Sequence, residues 1–150
     1  GVEYDPEEED IEVFDTFQAN AMAKARYFVD MIGKPVLADD SGLCVDALDG
    51  APGVRTKRFS GRDDLAGQDL DDANNRALLA ALEGVPDEER AAHYVCVAVL
   101  LTPSGVSASA VGTFSGRIGH APRGSGGFGY DPIFELPERG VTVAELHAEE

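Results

Sequence analysis

Two adjacent aspartates interrupt an apolar run in the segment Pro35-Val-Leu-Ala-Asp-Asp-Ser-Gly-Leu43. Because the run stops at Asp39 and Asp40 and resumes at Leu43, it predicts a strand, an acidic turn and a second strand. Carboxylate oxygens on a rigid strand suit Mg²⁺, which takes one or two carboxylates plus substrate phosphates. The spacing excludes a calcium-binding EF-hand loop. Taken alone, the pair is more often an Asx-turn, in which an aspartate bonds its own backbone.

A short basic stretch follows this acidic segment. Four of the 12 lysines and arginines lie in Arg55-Thr-Lys-Arg-Phe-Ser-Gly-Arg62. In a chain with so many acids, this local excess of cations predicts an anion site. The alternative is a basic surface whose exposed ion pairs contribute little.

A glycine-rich segment, Gly124-Ser-Gly-Gly-Phe-Gly-Tyr-Asp131, is the third candidate. Glycines let a backbone approach a ligand closely, and Phe128 and Tyr130 could offer flat faces to a base whose edge donates to Asp131. It matches neither common phosphate-loop pattern, so a tight turn with both rings in the core is the alternative. An acidic loop for a metal, cations for phosphates and this loop for a base together indicate a site for a magnesium nucleotide.

The overall charge limits the class of protein. With 12 basic and 28 acidic residues, the net charge is −16, which disfavours binding to nucleic acids and anionic membranes. No apolar run reaches the roughly 18 residues of a membrane span, and the acidic N-terminus is unlike a signal peptide. Cys44 and Cys96 predict buried free thiols rather than a disulfide framework. We therefore expect a soluble, cytoplasmic protein.

Hydrophobic periodicity predicts the elements that position these residues. An apolar stripe with spacings of three and four from Phe14 to Ile32 predicts a helix capped by Asp15, and a similar stripe from Leu70 to Leu82 predicts a second helix. Ala92–Leu101 is apolar throughout and predicts a central strand covered on both faces. The other predictions are an antiparallel return strand over 106–118, an irregular acidic arm over 1–13, and a short helix starting near Thr142, with Glu145 at capping-box spacing. The result is one α/β domain over 1–150, with a mixed sheet flanked by helices.

Several of these segments, in this order, resemble the inosine/xanthosine triphosphate pyrophosphatases, which act on non-canonical purine nucleotides. The resemblance spans nearly the whole chain. It is carried by Pro35–Leu43, Gly50-Ala-Pro-Gly53, Arg58-Phe-Ser-Gly61, Gly126-Gly-Phe-Gly-Tyr-Asp-Pro-Ile-Phe134 and Ala144-Glu-Leu, and the helix segment from Thr16 to Ala25 is also similar. It implies a homodimeric α/β enzyme of inosine triphosphatase-like (Maf/ITPase-type) architecture. Such an enzyme uses Mg²⁺ to convert ITP, dITP and XTP to the monophosphate and pyrophosphate.

The same resemblance implies roles for individual residues. Asp40 matches the catalytic acid, which acts as general base and metal ligand, with Asp39 and Glu12 as further metal ligands. Substrate-binding positions are Ser41 and Arg58, and the base-binding loop matches Phe128, Gly129, Tyr130 and Asp131.

The chain also departs from the family pattern. The family opens with a strand and a Thr/Ser-x-Asn-x-x-Lys phosphate loop and ends with a lysine and a Ser-His-Arg element, and this sequence contains neither. We therefore expect a form shortened at both ends. Two alternatives stay open: a catalytically silent, dimerising or metal-binding remnant, and a Maf-type pyrophosphatase acting on modified pyrimidine nucleotides.

Overall fold

The structure is a computed structural model that describes residues 11–146. Its helices and strands are α1 (Phe17–Ile32), β1 (Val36–Val45), α2 (Gly67–Ala81), β2 (Ala91–Leu101), β3 (Ser107–Ile118), β4 (Phe134–Leu136) and β5 (Val141–Thr142). Short 3₁₀ segments occupy Asp46–Leu48, Gly53–Arg58, Asp87–Glu89 and Val143–Glu145. Most of the predicted acidic arm and the end of the predicted last helix lie outside the described residues. The capping box at Thr142 and Glu145 is present.

The strands form one sheet in the order β1-β2-β3-β4-β5. β4 pairs antiparallel with β3, with Ile118 opposite Phe134, and antiparallel with β5, with Leu136 opposite Val141. Together with the two helices, this sheet confirms the predicted α/β class. β2 lies between β1 and β3, as predicted, but the expectation that both its faces are covered is wrong, since Leu100 is 42% exposed.

α1 forms where its apolar stripe predicts it, but its first cap differs from the prediction. Thr16, not Asp15, is the N-cap, and its Oγ1 accepts a hydrogen bond from the Ala19 backbone N–H at 3.2 Å. Such a cap contributes about 1 kcal/mol by satisfying one of the unpaired amides at the helix start. At the other end of α1, Gly33 adopts the left-handed conformation (φ 63°), and its backbone N–H donates to the Val29 carbonyl.

The described chain divides into two compact units. The first contains residues 11–41 and Val95–Thr113, and the second contains Gly42–Tyr94 and 114–146. The single domain over 1–150 stays a prediction.

Each unit has its own apolar core. In the first, one face of α1 packs against β2 through Ala21, Ala25, Val29, Val97, Val99 and Leu101. In the second, α2 and the strand ends surround Leu43, Val45, Leu78, Leu82, Ala92, Ile118, Tyr130, Ile133 and Phe134. Burying these side chains stabilises the fold by roughly 25 cal/mol for each Å² of apolar area removed from water. The packed cores hold in place the backbone that carries the candidate residues.

Two sequence predictions concern surface and membrane properties. Neither helix in the described range is long and apolar enough to cross a membrane. Both cysteines are free, as predicted, but Cys96 is exposed and Cys44 only half-buried. The prediction of two buried thiols is therefore wrong, because the side chain of Cys96 lies on an uncovered face of β2.

Candidate functional site

Asp40 is the centre of a polar cluster in the first unit that also contains Asn20 and Lys24. The Asp40 carboxylate is only 8% exposed. Its Oδ2 accepts a hydrogen bond from the Asn20 side-chain amide at 3.1 Å, and its Oδ1 lies 3.6 Å from the Lys24 ammonium. Burial raises the pKa of the Asp40 carboxyl above its ordinary value, although the Asn20 hydrogen bond and the Lys24 charge partly offset that effect. Asp40 is therefore a more basic carboxylate than an exposed aspartate.

Lys24 joins this carboxylate to a second one. Its ammonium donates to Glu12 Oε1 at 2.9 Å, so Glu12 and Asp40 both contact the same cation. Burial by itself disfavours the charged lysine, but the bond to Glu12 and the nearby acids outweigh it, so the pKa of Lys24 is raised. Lys24 is therefore positively charged and contacts both Glu12 and Asp40, an arrangement in which two carboxylates share one cation.

Asn20 and Lys24 reach Asp40 because they are one turn apart on α1. Asn20 is 1% exposed, and it also accepts from the Phe14 N–H and donates to the Phe14 carbonyl. Sequence analysis missed both residues. The available signal was a polar asparagine directly beside the apolar stripe of a predicted helix, where an unpaired amide would be costly to bury.

The predicted acidic turn is wrong, because residues 39–42 are part of the continuous strand β1. Side chains alternate across a strand, so Asp40 lies on the buried face while Asp39 and Ser41 are exposed. The Asp39 carboxylate instead accepts from the Ser41 hydroxyl at 3.1 Å. Asp39 and Asp40 are thus neighbours in sequence whose carboxylates lie on opposite faces of β1.

The donor set around Asp40 fits a hard divalent ion. Within residues 11–146, no three His, Cys, Asp or Glu side chains converge where a metal could bind. Two carboxylates do converge, Glu12 and Asp40, and Mg²⁺ usually takes one or two carboxylates and completes its shell with waters and phosphates. Asp39 lies on the other face of the strand, so its predicted role as a ligand stays a prediction without a contact to support it.

In the second unit, Asp131 organises the glycine-rich loop. One oxygen of its carboxylate accepts from the Phe128 backbone N–H at 3.0 Å and the other accepts from the Tyr94 hydroxyl at 3.3 Å. Burial, followed by the Asp131 charge, raises the pKa of Tyr94, so the phenol stays protonated as a donor. Gly127 lies against this carboxylate with φ 72°, where a side chain would overlap Asp131.

The two aromatic residues of the loop differ in environment. Phe128 is 82% exposed, as a stacking platform would need to be, whereas Tyr130 is 2% exposed and belongs to the core. The Tyr130 hydroxyl donates to the Thr56 carbonyl at 2.8 Å, and burial raises the pKa of this phenol. Tyr130 thus anchors the loop to the segment before Arg58, and the substrate-binding roles of Phe128, Gly129, Tyr130 and Asp131 stay predictions.

A cavity of about 410 Å³ lies between this loop and α2. That volume falls within the usual range of small-molecule sites. Its wall is formed by the loop backbone, Phe128, and the α2 side chains Gln68, Asp72, Asn75 and Arg76. The contribution of α2 to this cavity was not predicted from the sequence.

The basic stretch separates into one paired and three unpaired cations. Arg62 makes two bonds to Asp64, at 2.7 and 2.8 Å. Arg55, Lys57 and Arg58 lie on the exposed side of the 3₁₀ segment, and none has an ion pair within the described range. Arg58 is thus open to an anion, and its predicted substrate-binding role is untested.

Comparisons with known proteins identify relatives of the chain. It is 50% identical over 143 residues to a dITP/XTP pyrophosphatase of Frankia alni, an alignment covering 95% of this chain and 71% of the relative. It is also 50% identical over 136 residues to a dITP/XTP pyrophosphatase of Geobacillus kaustophilus, covering 90% of this chain and 64% of that protein. The chain therefore spans about two thirds of the length of these relatives.

Solved structures agree with these relatives. A HAM1 protein from Coxiella burnetii superimposes with a TM-score of 0.83 at 40% identity, covering 92% of this chain and 68% of that one. A dITP/XTP pyrophosphatase from Mycobacterium abscessus does so with a TM-score of 0.80 at 42% identity, covering 99% and 71%. The sequence model of the Ham1 family matches residues 2–150. On this evidence, the chain belongs to the Ham1 family.

Proposed function

We propose that this chain hydrolyses the non-canonical purine nucleoside triphosphates ITP, dITP and XTP to the monophosphate and pyrophosphate, with Mg²⁺ as cofactor. The observation that carries this proposal is the buried Asp40 carboxylate, held by Asn20 and Lys24. The chain that contains this carboxylate is 50% identical in sequence to proteins named as dITP/XTP pyrophosphatases.

In this proposal Asp40 is the general base. A water molecule adds to the α-phosphorus as its proton passes to Asp40, and the bond from that phosphorus to the bridging oxygen breaks to release pyrophosphate. Burial raises the pKa of Asp40 and makes it a better proton acceptor than an exposed aspartate, while the Asn20 hydrogen bond and the Lys24 charge favour its ionised form. Lys24 also supplies positive charge for the phosphate oxygens on which charge develops.

Mg²⁺ would be held by Asp40 and Glu12, the two carboxylates that share Lys24, whereas Asp39 lies on the opposite face of β1 and is not assigned to this ion. When bound, it neutralises phosphate charge and orients the triphosphate. The homodimer implied by the family resemblance is part of the same proposal and is checked by sedimentation.

The second unit, taken by itself, contains the residues proposed for the base and one cation proposed for phosphate. Phe128, exposed on the loop, stacks on the purine, and Gly129, Tyr130 and Asp131 complete the loop that holds it. Arg58 has no acidic partner in the described range, so it is available to phosphate oxygens. In the first unit, Ser41, exposed beside Asp39, is a further proposed substrate-binding residue.

The test measures pyrophosphate released from dITP in the presence of Mg²⁺. The variant Asp40→Asn is nearly isosteric and keeps an oxygen for the Asn20 amide, so it should fold normally. Loss of a general base lowers kcat by roughly 10²- to 10⁴-fold. Asp30→Asn is the matched control, because Asp30 is an exposed aspartate of α1, and it should retain wild-type activity.

Three further arms sharpen the test. Removal of Mg²⁺ by EDTA should abolish turnover, and Lys24→Met should raise KM for dITP. Turnover of dUTP and dTTP in preference to dITP would identify a Maf-type activity instead. If the wild-type chain releases no more pyrophosphate than Asp40→Asn, the proposal is wrong and the chain is a silent family member.

A further inference from the structure

Gly129, in the middle of the glycine-rich loop, is held from outside the loop by two side chains of α2. Its backbone N–H donates to Asp71 Oδ2 at 2.8 Å, and its carbonyl accepts from the Asn75 amide at 3.0 Å. Asp71 and Asn75 are four residues apart, so they lie on one face of the helix. Both polar groups of a single loop residue are therefore bound by one helical turn.

This arrangement matters because Gly129 is a place where the loop could change course. Its φ of 60° lies in the left-handed region, where a glycine has several backbone conformations of similar energy. Ordering such a residue costs about 1 to 2 kcal/mol of conformational entropy. External hydrogen bonds to both sides of the residue select one of those conformations before any ligand arrives.

Phe128 is the side chain most affected by this choice. Because it is 82% exposed, little packing holds its ring, and the backbone on either side determines where the ring points. On one side, the Phe128 N–H is bound by Asp131, and on the other, Gly129 is bound by α2. Asp71 and Asn75 thus supply the second of the two constraints on the proposed stacking platform.

Asn75 has a further feature that connects it to the adjoining cavity. It is 3% exposed and lines the cavity, and its Oδ1 has no hydrogen-bond partner among the described residues. Native structures rarely leave such an atom unpaired. The bond to the Gly129 carbonyl fixes which end of the amide is the donor, so the unpaired atom is the acceptor oxygen.

We propose that Asp71 and Asn75 are positioning residues for the purine base, clamping the Gly129 peptide so that the loop from Phe128 to Asp131 is preorganised to receive it. The inference rests on the proposed function and deepens it. It predicts that the pair acts on binding and base selectivity, with little effect on the chemical step.

The test is calorimetric titration of the full chain with 2′-deoxyinosine monophosphate and, for selectivity, 2′-deoxyadenosine monophosphate. Asn75→Asp keeps the side-chain shape but places an acceptor against the Gly129 carbonyl, and Asp71→Ala removes the acceptor for the Gly129 N–H. Each should raise Kd for the inosine nucleotide about 3- to 10-fold, the effect of one lost hydrogen bond. Each should also reduce the preference over the adenosine nucleotide, with kcat for dITP within twofold of wild type.

Two controls separate positioning from a general loss of stability. Asp71→Asn retains an amide oxygen that accepts from the Gly129 N–H, so it should restore near-wild-type affinity. Asp69→Ala removes an exposed aspartate of the same helix and should leave Kd unchanged. Hydrogen exchange of the Gly129 amide gives a readout independent of nucleotide, and it should accelerate in Asp71→Ala but not in Asp69→Ala.

The outcomes distinguish the two proposals. Normal binding of the inosine nucleotide without turnover of dITP by the wild type would refute the proposed reaction while leaving the clamp intact. Wild-type affinity and selectivity in both Asn75→Asp and Asp71→Ala would refute the clamp, as would failure of the wild type to bind the nucleotide. A loss in Asp71→Asn as large as in Asp71→Ala would also refute it.

Discussion

Arg90 is the residue whose replacement should most destabilise the second unit. Its side chain is 2% exposed, and its guanidinium donates to four backbone carbonyls: those of Ile118 and Gly119 at the end of β3, and those of Leu82 and Val85 after α2. One planar group with five donors therefore joins the end of a helix to the end of a strand.

The magnitude follows from these contacts. Three of the bonds are 2.7 to 2.8 Å long and the fourth is 3.3 Å. Hydrogen bonds from a charged donor contribute about 1.5 to 3 kcal/mol each, and burying the guanidinium offsets several kcal/mol of that sum. Arg90→Met fills similar space but leaves the carbonyls of Ile118, Val85 and Gly119 without this donor, so we expect a loss of about 3 to 5 kcal/mol, since each buried acceptor left unsatisfied costs about 1 to 3 kcal/mol.

The assay is equilibrium urea unfolding followed by circular dichroism, with the slope m compared between variants. Arg26→Met, at an exposed arginine of α1, should change the free energy of unfolding by less than about 0.5 kcal/mol. Arg90→Lys should also be destabilised, because a single ammonium cannot reproduce the fork of the guanidinium. A loss below about 1 kcal/mol in Arg90→Met would refute the reasoning.

Two more predictions concern the glycine-rich loop and acid stability. Gly127→Ala should weaken nucleotide binding, and it should destabilise the fold by more than Gly140→Ala does. Both glycines have φ near 70°, but only at Gly127 would a Cβ overlap a side chain. Gly140→Ala should therefore lower the free energy of unfolding by about 1 to 2 kcal/mol from backbone strain alone. Equal effects in urea unfolding would contradict this. The His120 hydrogen bond lowers the pKa of Asp87 below the ordinary aspartate pKa of 3.8. This contact should therefore stabilise the fold at pH values above 3.8, and its contribution should be lost as the pH falls through the lowered pKa. Thermal unfolding of Asp87→Asn and wild type should therefore differ at pH 6 and converge near pH 2, and a constant difference would contradict the assignment.

Local sequence patterns were sufficient for the two helices and for one loop. Apolar spacing predicts α1 because 3.6 residues per turn is a property of the local backbone, and the stripe from Phe17 to Val29 lies on the packed face. The glycines around Phe128 predict a loop for a similar local reason, since only glycine takes positive φ freely. The family resemblance of the same segments was confirmed by the match over residues 2–150.

The assignment of individual side chains depended on tertiary structure. From sequence, Asp39 and Asp40 formed one acidic turn, but sheet pairing keeps the chain extended, and alternation then buries Asp40 and exposes Asp39. Likewise, the sequence does not reveal that Asn20 bonds to Asp40, because the two residues are brought together only when α1 packs on the sheet. Periodicity and turn chemistry depend on neighbouring residues and can be predicted from sequence, whereas the partner of a buried polar group depends on which distant surfaces meet, and packing alone decides that.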